Sequence, residues 1–339
     1  MTRPQQEPAR TSAEEPTLDT IREPIADAFE HFQERLDDAF LCDVSLVGAV
    51  GAHLHRAFGK RFRPTLLLLA ARGFGDVKEE AVLGAVVVEL IHTATLIHDD
   101  SVDKSLVRRG LPTVNSAWNN DVAILMGDYL YSKAFSILVK NRMYVAMDLL
   151  ADATHRMSQG ELRQIEQWNR LDLTEAEYMR VIEEKTACLM SAGCEFGAVS
   201  GGADPRARQA MFRYGQAVGL AFQITDDIFD YLGAETVMGK AMGSDLEGGK
   251  ITLPLITALS NAPERARREM TAMIQNREFR NGHWGDVVRF VTEHGGVSYS
   301  ATRSAEYAAR AEAELEHVPD SVVRAALVDA VRYAVTRRR

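Results

Sequence analysis

Two long stretches of this chain, Thr113 to Asp204 and Arg206 to Leu253, contain no proline, so long uninterrupted helices are permitted in both. The apolar residues keep the matching period. Ile21, Ile25, Phe29, Phe32, Leu36 and Phe40 recur at three- and four-residue spacing, and alternating strand patterns are nearly absent. Thr174 to Glu177 reads as a capping box, and Asp204-Pro205 as an N-cap with a first-turn proline. The pattern predicts helices near 21–41, 43–56, 63–73, 77–103, 119–139, 142–169, 174–200, 205–231, 251–261, 263–276, 284–294, 297–317 and 319–336. That is an all-α fold, a single large helical bundle over 21–339 around a central apolar cavity, preceded by a disordered polar tail over 1–20.

The formal net charge of −9 argues against nucleic-acid binding and against anionic membranes. Cys42, Cys188 and Cys194 make a poor disulfide framework, since the last two are separated by a helical rise of about 9 Å. A reducing, cytoplasmic setting is expected. No uninterrupted apolar run reaches the roughly 20 residues a bilayer needs, because Glu89 and His92 break the run that starts at Ala81; no transmembrane segment is expected.

Leu96 to Asp103 reads Leu-Ile-His-Asp-Asp-Ser-Val-Asp, with Asp99, Asp100 and Asp103 at i, i+1 and i+4 of a predicted helix end. Phe222 to Asp230 repeats the device with Asp226, Asp227 and Asp230. Six carboxylates facing one cavity would repel by roughly 1 kcal/mol per close pair in water, and by more at lower dielectric. Cations relieve that repulsion, and all-oxygen ligands suit Mg²⁺ shared with substrate phosphates. Basic residues are placed to complete such a site: Arg108-Arg109-Gly110 after the first motif, Lys240 and Lys250 after the second, and Gly59-Lys60-Arg61-Phe62-Arg63-Pro64 at a helix start. His92 lies two turns before Asp99, on nearly the same face.

With Gly-Asp-Tyr-Leu (127–130), Gln-Gly-Glu (159–161), Lys-Thr (185–186) and Gly-Lys-Ile-Thr-Leu-Pro (249–254), these pieces closely resemble the trans-isoprenyl diphosphate synthases, over about residues 55 to 255. The resemblance implies condensation of isopentenyl diphosphate with an allylic diphosphate by ionisation, condensation and proton elimination. By the same resemblance, Asp99, Asp100, Asp103, Asp226, Asp227 and Asp230 hold about three Mg²⁺ ions. Arg108, Lys185, Lys240 and Lys250 grip the allylic diphosphate, and Thr186 and Gln223 stabilise the carbocation. Gly59, Lys60, Arg63, His92 and Arg109 form the isopentenyl diphosphate site. A homodimer is also implied.

Product length in this family is set beside the helix that leads into the first motif. Ala94 and Thr95 are small, which moves the next candidate stops a turn deeper, to Ile91 and Val88, or onto the facing Gly127 to Phe135 helix. A medium- or long-chain product of roughly C30 to C50, a quinone side-chain precursor, is the expectation, with a farnesyl- or geranylgeranyl-length product as the alternative, each unit taking about one 5.4 Å turn. Three other readings compete. Glu89-x-x-His92 and Glu314-x-x-His317 match a di-iron carboxylate bundle. A terpene cyclase would share the first aspartate motif, and a nonenzymatic subunit would need a second polypeptide.

Overall fold

A computed structural model describes residues 16–57, 59–232, 242–277, 279 and 282–336. Helix formation begins where Thr17 and Thr20 cap one another, so the helical body starts at Leu18, inside the expected tail. The helices are α1 (Leu18–Arg22), α2 (Ala26–Ala39), α3 (Ser45–Ala57), α4 (Phe62–Phe74), α5 (Glu79–Val102), α6 (Val114–Ala117), α7 (Asn120–Lys140), α8 (Tyr144–Glu166) and α9 (Glu175–Ile182). They continue as α10 (Cys188–Gly201), α11 (Pro205–Leu232), α12 (Ser244–Glu247), α13 (Leu253–Asn261), α14 (Glu264–Gln275), α15 (Trp284–Glu293), α16 (Gly296–Glu314) and α17 (Ser321–Thr336). Among the described residues the strands are β1 (Val107–Arg108) and β2 (Leu111–Pro112), a short antiparallel hairpin between α5 and α6.

Helices α4, α5 and α10 are buried along most of their length. Leu66 to Leu69 on α4 are almost completely buried, and each such leucine contributes about 1.5–3 kcal/mol by leaving water. Helix α10 packs against α4, α5, α8 and α11, while α11 runs from this core into a second one built with α9 and α13 to α16. Consequently α5 and α11, the two aspartate helices, both pack on α10.

The expected helix over 174–200 is interrupted. Residues Glu183–Ala187 form a π-helical turn between α9 and α10. Two glycines let neighbouring helices close on it: a Cβ at Gly160 of α8 would meet the Lys185 nitrogen at 2.8 Å, and one at Gly219 of α11 would meet Ala187 Cα at 2.6 Å. Such turns displace a side chain and disturb the local backbone hydrogen bonds, which is why they recur at functional sites.

Among the described residues, a cavity of about 110 Å³ opens beneath the site, and polar Lys185, Gln223, Asp227 and Lys250 share its lining with Leu173, Val181 and Ile251. Two helices among the described residues, α5 and α7, are long and apolar enough to cross a membrane. The apolar window of α5 is 72% buried in the bundle, whereas that of α7 is only 33% buried.

Candidate active site

The aspartates divide by face because one residue turns the helix by about 100°. Asp99, Asp103 and Asp226 keep accessible surface, whereas Asp100, Asp227 and Asp230 are buried. Arg108 takes Asp100 in a fork, with Nε 2.9 Å from Oδ2 and Nη2 2.8 Å from Oδ1. Burial would lower the Arg108 pKa, but its hydrogen bonds to Asp100, with Asp99 and Asp103 close by, raise it instead. Asp230 accepts from the Ser244 hydroxyl and from the Asp245 amide, so it holds α12 in place.

Two lysines from later in the chain reach the first motif. Lys250 Nζ donates to Asp103 Oδ2 at 2.6 Å, a contact spanning 147 residues of sequence. Lys185 Nζ lies 3.5 Å from Asp99, contacts Glu161, and donates to Gln164 Oε1 at 2.8 Å. Burial alone would lower the Lys250 pKa; Asp245, Asp103 and Glu161 raise it. Among the described residues, Glu161 makes no hydrogen bond beyond its ion pair with Lys185, and burial holds its carboxyl above the usual range.

Glu161, Gln164 and Asp245 were not assigned from the sequence. Their signals were present: Glu161 closes the Gln-Gly-Glu stretch, and Asp245 lies five residues before Lys250. Among the described residues, no three His, Cys, Asp or Glu side chains converge closely enough to share a metal ion. The donor chemistry still suits a hard divalent cation. Asp99, Asp103, Asp226 and Glu161 offer only carboxylate oxygens, and basic side chains offset their charge.

A second basic cluster lies where α4 meets α5. A Cβ on Gly59 would lie 2.1 Å from the Arg109 guanidinium, so the loop before α4 and the hairpin arginine are in close contact. Arg63 Nη1 lies 2.9 Å from His92 Nε2. Arginine can only donate, so His92 accepts and is neutral. Lys60 is exposed, its Nζ 5.3 Å above the Tyr333 ring. Lys240 lies outside the described residues.

Burial, with Arg63, Arg109 and Arg108 nearby, pushes the His92 pKa well below its ordinary value; burial lowers that of Arg63 to about 10. A histidine with a depressed folded pKa gives full stability above its unfolded pKa and loses it as pH falls. Below pH ~6.5 the loss should approach roughly 1 kcal/mol per pH unit. The melting temperature should therefore fall between pH 7.5 and 5.5, and His92→Gln, which can still accept from Arg63, should flatten that slope. An unchanged slope in the variant would rule out His92 as its source.

Thr186 Oγ1 donates to Gln223 Oε1 at 2.9 Å, so the π turn and α11 meet at the predicted pair. The chain-length residues are placed less openly. Ala94 and Ile91 are 0% exposed, while Thr95 keeps partial access and bonds its hydroxyl to the His92 carbonyl. The ring of His98 stacks on Tyr131 of α7 with centroids 6.0 Å apart, and a Cβ on Gly127 would strike His98, so α7 runs down antiparallel to α5 beside these residues. Ala94, one turn before His98, lies on the α5 face that meets α7. The di-iron pairing is not favoured: Glu314 binds Arg213 on α11, and His92 pairs with Arg63.

Carboxylates and cations gathered at the ends of two core helices define a helical-bundle site for phosphorylated, metal-associated substrates. The sequence matches the family described as polyprenyl synthetase over residues 44–290, and the chain belongs to that family. It is 36% identical over 318 residues to the all-trans-nonaprenyl-diphosphate synthase (geranyl-diphosphate specific) of Rhodobacter capsulatus, covering 94% of this chain and 97% of that protein. It is also 36% identical over 293 residues to the geranylgeranyl diphosphate synthase of Methanosarcina mazei, covering 84% and 88%. The crystal structure of a Caulobacter crescentus polyprenyl synthase complexed with calcium and isoprenyl diphosphate superposes with a TM-score of 0.91 at 34% identity, covering 97% of this chain and 100% of that one.

Proposed function

We propose that this prenyltransferase elongates an allylic diphosphate with isopentenyl diphosphate to an all-trans polyprenyl diphosphate. The observation that carries the reading is the shared cavity: Lys185 and Lys250, paired with Asp99 and Asp103 of the first motif, line it together with Asp227 of the second. Arg108, Lys185 and Lys250 would bind the allylic diphosphate. Gly59, Lys60, Arg63, His92 and Arg109 would bind the other, within electrostatic reach of Asp226. Asp99, Asp103 and Asp226, with Glu161, would hold Mg²⁺, which when bound stabilises charge on the departing diphosphate. Thr186 and Gln223 present oxygen dipoles without a strong nucleophile, which suits a carbocation, and the apolar core behind them excludes water. Diphosphate release that requires both substrates is the expected result. Release from the allylic substrate alone would indicate a cyclase.

Small Ala94 and Thr95 support a product of roughly C30 to C50, one unit per helical turn of about 5.4 Å. Identity does not set this length, since the nonaprenyl and geranylgeranyl relatives are equally identical. A reducing cytoplasm suits the free, exposed thiol of Cys42.

The exposed face of α7 supports a homodimer. Leu125 and Val139, 66% and 56% exposed, fall with Ser132 at seven-residue spacing, and Tyr144 of α8 adds to the patch. Such a seam is stabilised by a second copy. Light scattering should give twice the 37.6 kDa chain mass, and Leu125→Glu should shift the protein to monomer. A monomeric wild type that floats with liposomes would instead assign the α7 face to lipid.

A further inference from the structure

A hydrogen-bond chain crosses the site from α9 to the π turn. Tyr178 Oη donates to Asp227 Oδ2 at 2.6 Å, and Gln223 Nε2 donates to Asp227 Oδ1 at 2.8 Å. Thr186 Oγ1 then donates to Gln223 Oε1. Asp227 is 3% exposed, and these two bonds engage both its oxygens.

The order of donors and acceptors fixes the Gln223 amide. Burial and the nearby Asp245 charge raise the Asp227 pKa, and the two donors, Tyr178 and Gln223, oppose that and favour the acceptor-only carboxylate; the amide presents its NH₂ to it and turns Oε1 toward Thr186. The two ends of a glutamine amide have nearly the same shape, so packing alone would not hold that orientation. Tyr178 supplies the missing constraint. It sits on a different helix, anchored by the Thr174–Glu177 capping box, and its hydroxyl occupies the Asp227 oxygen that Gln223 does not use. Losing that hydroxyl leaves a buried carboxylate oxygen unpaired and frees the carboxylate to rotate.

Resting on the prenyl-transfer reading above, we propose that Tyr178 is a positioning residue. Through Asp227 it holds the Gln223 amide with its oxygen toward the carbocation, and Asp227 serves in this chain of bonds, not as a metal ligand. The sequence pattern had grouped Asp227 with the ligands.

The test compares wild type, Tyr178→Phe, Gln223→Ala and the double variant, all as full chains with isopentenyl diphosphate, an allylic primer and Mg²⁺. Tyr178→Phe should lower kcat about tenfold, as expected for one lost hydrogen bond to a charged group, with both KM values and the Mg²⁺ half-saturation within about twofold. In the Gln223→Ala background the same substitution should change kcat by less than about twofold, because its target is gone. An undiminished tenfold effect in that background, or a loss appearing in KM or Mg²⁺ half-saturation, would overturn the proposal.

Should Tyr178→Phe fail to fold, Asp227→Asn decides, because asparagine can still accept from Gln223. Calorimetric Mg²⁺ binding in the presence of inorganic diphosphate should stay within about twofold of wild type, whereas a weakening of about tenfold would make Asp227 a ligand. An inactive wild type that binds Mg²⁺ and diphosphate normally would contradict the prenyl-transfer reading, and the calorimetry would still decide Asp227.

Discussion

Asp99→Asn is expected to lower condensation about a thousandfold while leaving the fold intact, because the lost charge faces accessible space and acts on the developing diphosphate. The half-saturating Mg²⁺ concentration should rise with it. Asp100→Asn should behave differently, although it is the adjacent residue. Asp100 is 5% exposed and forked by Arg108, so removing its charge strands a largely buried guanidinium. Roughly 3 kcal/mol of stability should be lost, visible as a lower denaturation midpoint. Equal activity losses with equal melting temperatures in the two variants would mean that the division of the motif into an accessible and a buried face is wrong.

Ala94→Phe should shorten the product to C20 or less, at a stability cost of about 1–3 kcal/mol from overpacking. Ala94 lies about 7.5 Å along α5 from Asp99, little more than one isoprene unit into the bundle. Its complete burial makes the effect larger, because a phenyl group there wedges the α5–α7 seam. Chromatography of extracted products reads the outcome. Unchanged product length in a folded variant would remove the seam from the path of the growing chain.

The helices were legible wherever local chemistry decides them. The proline-free stretch predicted 119–139 and 205–231, against observed Asn120–Lys140 and Pro205–Leu232, and the Thr174–Glu177 capping box forms as expected. The π turn at Glu183–Ala187 was not legible, because it is imposed by close approach of Gly160 and Gly219 from other helices. No spacing within 174–200 encodes that approach. The hairpin at Val107–Pro112 is likewise too short to show a strand pattern.

In the site, residue types and spacing grouped all six aspartates as metal ligands, whereas the structure separates accessible from buried members of each motif. The one-residue step from Asp99 to Asp100, and from Asp226 to Asp227, carries the second member off the accessible face. Asp230 keeps the i+4 spacing yet is taken up by Ser244 and Asp245, contacts that only the returning chain supplies. Tyr178 was invisible for the same reason, since its partner Asp227 is 49 residues away.

The most direct measurement is mass analysis of products formed by the purified chain alone from isopentenyl diphosphate and an allylic primer, with Mg²⁺ and then with chelator. Products longer than the primer by whole C5 units, formed only with metal and without a second polypeptide, are the expected result. Metal-dependent diphosphate release with no gain in chain length, or elongation that requires another protein, would contradict prenyl elongation by this chain.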